Sequence, residues 1–73
     1  MSVFSENLKS LRMFHNLTQR QLGIEVGASE RGIQNYELDE RKPNYEMLIA
    51  LADYFDVSID YLVGRTNNPK MNR

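Results

Sequence analysis

Arg31, Gln34 and Asn35 fall on one side of a helical projection, with Glu30 at its border, while Ile33, Tyr36 and Glu37 cluster on the other. The polar side offers a guanidinium, two amides and a carboxylate within one short segment. As a set these are hydrogen-bonding groups rather than acid–base or nucleophilic ones. A guanidinium pairs bidentately with guanine, an amide with adenine, and a carboxylate accepts from the amino group of cytosine. A solvated helix face carries the same residue types, so both readings stand at this level.

Other chemistry has little to work with. The chain of 73 residues has one His and no Cys, which excludes disulfides and thiolate metal sites. His15 falls at a helix end, where the helix dipole accounts for it, and no trio of acid, base and nucleophile can be assembled around it. We expect no enzyme activity, no metal and no cofactor. The longest apolar run, residues 47–52, is six residues, far short of the roughly 20 that a membrane span needs. Residues 1–6 lack the basic stretch and apolar core of a secretory signal. A cytoplasmic protein without a membrane partner is the expectation.

Net charge argues against a polyanionic partner. Nine Lys and Arg against ten Asp and Glu give −1, with a pI near 5.7, whereas nucleic-acid-binding domains are commonly basic. Residues 29–46 carry three basic and five acidic side chains. Any DNA reading must rest on geometry and local placement.

The elements that position these residues are helical throughout, and the expected fold is all-α, a compact bundle of five short helices. Phe4, Leu8 and Leu11 form one stripe of a helix from near Ser2 to near His15, followed by Asn16, which tolerates the left-handed conformation. Thr18 opens a second helix, with Gln21 three residues on as a capping box; Leu22 and Val26 face one way and Gly27 closes it. Ser29 caps a third helix with Ile33 and Tyr36 inward. Residues 38–44 form a polar loop, and Asn44 caps a fourth helix, Tyr45–Phe55, with Leu48, Leu51, Ala52 and Phe55 on one stripe. Ser58 caps a short fifth helix, residues 59–63, which Gly64 ends. Residues 1–66 form the domain, and 67–73 a polar, fraying tail.

Residues 18–37 hold the informative feature, two short helices joined by Gly27-Ala28-Ser29. A helix-turn-helix needs a residue without Cβ strain at its turn, a cap on its second helix and apolar residues locking the pair. Gly27, Ser29 and the trio Leu22, Val26 and Ile33 supply these, as would a helical hairpin inside any bundle. The full pattern resembles the lambda-repressor-like (Cro-type, or XRE-type) helix-turn-helix DNA-binding family over nearly the whole chain. The resembling stretches include Asn7-Leu8-Lys9-Ser10-Leu11-Arg12, Leu17-Thr18-Gln19-Arg20-Gln21-Leu22-Gly23 and Val26-Gly27-Ala28-Ser29. They continue through Ile33-Gln34-Asn35-Tyr36-Glu37, Lys42-Pro43, Leu48-Ile49-Ala50-Leu51-Ala52 and Val57-Ser58-Ile59-Asp60-Tyr61-Leu62-Val63-Gly64.

The resemblance implies a sequence-specific transcriptional regulator whose third helix enters the major groove of operator DNA. Glu30, Arg31, Gln34 and Asn35 would then contact bases. Gln19 would contact phosphate, helped by the positive end of the second helix; Ser29 would either do likewise or serve as a cap. Arg41, Lys42 and Asn44 would meet the DNA backbone or remain solvated. Arg12 and Glu37 would form a structural ion pair and touch no base. The resemblance also implies a homodimer, because one recognition helix contacts too few base pairs to select a genomic site. Its surface would lie around Tyr61, Leu62 and Val63. Apart from the resemblance, Phe14, Met13 and Ile24 fall outside the core stripes; they are either isolated exposed apolar residues or, for Phe14 beside Met13, a subunit contact. With no ligand-binding or peptidase-like domain expected to follow, the chain would resemble stand-alone regulators such as Cro-type prophage proteins, restriction–modification controllers or antitoxins.

Some positions depart from the family pattern. Gly23 stands where Ala is common, and Gly32 lies inside the third helix; each costs roughly 1 kcal/mol relative to Ala in a helix interior. Gly32 is either such a cost or a point of close approach to a helix or to DNA. The loop after the third helix, commonly with a Gly and more basic, here reads Leu38-Asp39-Glu40, and those acids near phosphate would be repulsive. The acidic pI and this loop support a second class of function, a protein-interaction module such as an antitoxin or anti-repressor that keeps the fold with weak or no DNA binding.

Overall fold

The computed structural model describes residues 2–70; residues 71–73 of the expected tail lie outside that range. Five helices follow in order: α1 (Val3–Phe14), α2 (Gln19–Val26), α3 (Glu30–Glu37), α4 (Tyr45–Phe55) and α5 (Ile59–Leu62). Among the described residues there is no strand, and no helix is long and apolar enough to cross a membrane.

Each helix starts on an extended cap residue whose side-chain oxygen accepts from the backbone N–H three residues on. Ser2, Thr18, Ser29, Asn44 and Ser58 take the N–H groups of Ser5, Gln21, Gly32, Met47 and Tyr61. At Thr18 the box is reciprocal, because Gln21 Oε1 accepts from Thr18 N–H at 2.8 Å. Such a cap contributes about 1 kcal/mol, which matters to helices of only about one to three turns. The ends are sharp too. Gly27 closes α2 at φ 81°, and Asn16, Asp39 and Asp56 turn the chain at φ 57°, 63° and 55°. Asn and Asp are the side chains that tolerate this region best. Val63 is the C-cap of α5, so that helix stops one residue short of expectation.

Every helix buries one fully excluded aliphatic side chain. Leu8, Leu22, Ile33, Leu51 and Leu62 meet at the centre, joined by Ala52, Phe55 and Val57. Phe4, Leu11, Val26, Tyr36 and Leu48 complete the shell, as their spacing predicts. Asn7 ties α1 to α5, its Nδ2 donating to the Tyr61 carbonyl at 2.9 Å. The polar segment after α5 is mostly exposed, and Ser58 N–H donates to the Pro69 carbonyl within it at 2.9 Å.

The join between α2 and α3 is tight because of Gly23. Its carbonyl accepts from Gly27 N–H and from Ala28 N–H, both at 2.8 Å, and a Cβ at this position would run into the Ala28 carbonyl oxygen. Its missing side chain is therefore what lets the turn close. Gly23→Ala should lose about 1–3 kcal/mol to overpacking, against a gain in helix propensity of about 1 kcal/mol. Urea denaturation measures the balance, and a stabilised variant would contradict the steric account. Gly32 differs: a Cβ there would sit 3.2 Å from Ser29 Oγ and 4.0 Å from the Ala28 Cβ, with no other helix so near. Close approach to a neighbouring helix does not explain it.

Candidate nucleic-acid interface

The outer face of α3 follows from its inner one. Ile33 is fully buried and Glu37 nearly so, which turns Glu30, Arg31 and Gln34 into solvent. Asn35, on the same side by spacing, is half-buried. Tyr36 packs inward, its ring edge-to-face with Phe4 at 6.4 Å between centroids. Three of the four expected base-contacting residues thus stand free together, and the fourth is partly covered.

Cap geometry decides which polar atoms remain available around them. Ser29 Oγ accepts from Gly32 N–H at 2.9 Å, so its capping role is occupied while its hydroxyl proton is left to donate. Asn44 accepts through Oδ1 from Met47 N–H at 2.8 Å, which leaves its amide NH2 to donate in the same way. Both residues are exposed, as are Arg41 and Lys42 in the loop between α3 and α4. At the start of α2, Thr18 satisfies the Gln21 N–H; the N–H groups of Gln19 and Arg20 are among the first of the helix and have no intrahelical acceptor.

Arg12 and Glu37 lie together behind this surface. Arg12 Nε donates to Glu37 Oε2 at 2.6 Å and Nη2 to Oε1 at 3.1 Å, while Nη1 reaches the Leu17 carbonyl at 2.8 Å. The side chains are 15% and 4% exposed, so the pair is largely withdrawn from the surface. Gln19 joins them, its Nε2 donating to Glu37 Oε1 at 3.2 Å. The expected phosphate ligand is therefore half-buried and oriented by the ion pair, with one amide hydrogen engaged and the other free. That third partner has no local signal, since it depends on how α2 crosses the end of α3.

Asp39, expected to repel phosphate, has a partner within the protein: its Oδ2 accepts from Ser2 N–H at 3.1 Å, across 37 positions of sequence. Leu62 is wholly buried and cannot line a subunit contact; Tyr61 and Val63 are half-buried, and Val63 lines the same cleft as Asp39. Phe14, at 81% exposure, and Met13 project from the end of α1.

Comparison with known proteins places this geometry. The helix-turn-helix family model matches residues 8–62. The chain is 39% identical over 69 residues to the HTH-type transcriptional regulator YqaE of Bacillus subtilis (strain 168), covering 94% of this chain and 60% of that protein. It is 36% identical over 67 residues to YobD of the same strain, also named an HTH-type transcriptional regulator, covering 92% and 60%. The chain thus spans about three-fifths of the length of these relatives. The solved structure of the P22 c2 repressor protein in complex with synthetic operator 9T superposes with a TM-score of 0.81 at 33% identity, covering 86% of this chain and 96% of that one.

Proposed function

The chain belongs to the helix-turn-helix family, and from that premise we propose that it is a sequence-specific DNA-binding transcriptional regulator reading operator DNA through α3. The observation that carries the reading is the face of Glu30, Arg31 and Gln34, exposed side by side on a helix whose opposite side is locked into the core. In this reading α3 lies in the major groove and those side chains, with the accessible part of Asn35, meet base edges. Gln19, Ser29, Arg41, Lys42 and Asn44 hold the phosphates on either side and fix the register. Two copies bind as a homodimer, because a single α3 spans too few base pairs to select a site. Tyr61 and Val63 are the part of the expected dimer surface left at the molecular surface. Sedimentation of the protein with and without DNA tests the dimer.

Binding to duplex DNA of random sequence, titrated with salt, tests the reading against a protein-interaction module that has kept the fold. Affinity should fall steeply as salt rises, with a slope set by the number of phosphate contacts. No measurable affinity at low salt would favour the interaction module, to which the net charge of −1 already leans. Arg31→Ala should then relax preference at one operator position by about 1–3 kcal/mol, leaving the other positions unchanged. A variant that selects the same sites with unchanged affinity would remove Arg31 from the base-reading set.

A further inference from the structure

Asp39 sits at the junction between α3 and the loop that carries Arg41 and Lys42. Its backbone is left-handed, at φ 63°, and the chain folds back so that Glu40 N–H donates to the Asn35 carbonyl at 2.9 Å. This is the helix-ending position that glycine most often fills. Glycine would make the turn, but it would have no carboxylate. Asp39 makes the turn and also accepts from the backbone N–H of Ser2, the cap residue of α1. A carboxylate at the positive end of α1 is favourably placed, so its charge is engaged there. Ser2, Val3 and Phe4 of that end line one cleft together with Asp39, Lys42 and Pro43. At the far end of the loop, Asn44 is fixed by its own capping bond to Met47.

We infer that Asp39 is a positioning residue for DNA binding: its bond to Ser2 latches the α3–α4 loop to α1 and pre-sets Arg41 and Lys42 against the phosphate backbone. The inference rests on the DNA-binding reading and deepens it. A loop fixed before binding loses less conformational freedom on association. It also reverses the simple electrostatic expectation, under which removal of any acid near DNA strengthens binding.

The test compares two neutral substitutions that both accept a left-handed backbone, Asp39→Asn and Asp39→Gly. The intact protein is titrated with random-sequence duplex DNA over a range of salt. Asp39→Asn keeps an acceptor for Ser2 N–H and should bind at least as tightly as the unsubstituted protein. Asp39→Gly, equally uncharged, should bind at least three-fold more weakly than Asp39→Asn, with a shallower salt slope as a phosphate contact is lost. A purely structural role would lower the melting temperature and leave that slope alone. Ser2→Pro against Ser2→Ala probes the other partner, since both lose the hydroxyl cap but only proline lacks the N–H; Ser2→Pro should show the weaker binding and the shallower slope. Equal affinity and slope for Asp39→Gly and Asp39→Asn would overturn the latch while the DNA reading stands. If the unsubstituted protein shows no salt-dependent binding, the DNA reading fails and the latch falls with it.

Discussion

Glu37→Ala should destabilise the domain by about 3–5 kcal/mol, the cost of stranding one member of a buried ion pair. A 73-residue domain has a total stability of only about 4–11 kcal/mol, so much of the variant would unfold in mild denaturant. The size of the effect follows from the setting. Glu37 is a carboxylate in the last turn of α3, where the helix dipole disfavours negative charge. The Arg12 guanidinium offsets this with two of its nitrogens while a third holds the Leu17 carbonyl. Removing the carboxylate leaves a mostly buried cation with that single carbonyl and frees Gln19 as well. Arg12→Ala should lower the melting temperature in the same way, whereas Arg12→Met with Glu37→Leu should recover much of the loss, as apolar replacement of both partners often does. Urea denaturation of the single and double variants checks this. A loss below 1 kcal/mol for Glu37→Ala would mean that the pair behaves as a surface ion pair. A normal melt with abolished DNA binding for Arg12→Ala would make Arg12 a contact residue.

The second large effect concerns affinity. Replacing Arg41 and Lys42 together by Ala should weaken binding to every duplex alike and reduce the salt slope by about two. With a slope of about 0.9 per phosphate contact, two lost contacts correspond to roughly a 60-fold loss at 0.1 M salt. The uniformity matters as much as the size, because phosphate contacts position the protein and do not read sequence. The same double variant should melt close to the unsubstituted protein, since both side chains are exposed. Titrations against an operator and against random DNA test this directly. An unchanged slope would assign both residues to a solvated loop.

The caps at Thr18, Ser29, Asn44 and Ser58 are local: a short polar side chain stands before a helical apolar stripe, and the structure uses each one. The stripes are equally local, and the five helices follow from them. Asp39 and Asp56 are harder, because the left-handed end of a helix is usually marked by Gly and sometimes by Asn, and an Asp in a polar stretch reads equally well as an ordinary loop residue. The physical reason for Asp39 lies 37 positions away at Ser2. Gly23 misleads for the same reason: propensity marks it as a weakness, while its value depends on where the Ala28 carbonyl passes. Asn7, bonded to the end of α5, and Gln19, bonded to Glu37, join elements whose relative placement no local pattern encodes. On the outer face, spacing puts Asn35 beside Arg31, yet packing leaves it half-buried.

The most direct measurement is selection of binding sites from a random library of duplex DNA, using the protein itself. If α3 reads operator DNA, the selection should yield an enriched, two-fold symmetric site with half-site centres one helical turn or a multiple of it apart, and Arg31→Ala should lose preference at one position of each half-site. A selected pool indistinguishable from the starting library would contradict the claim that α3 reads base edges.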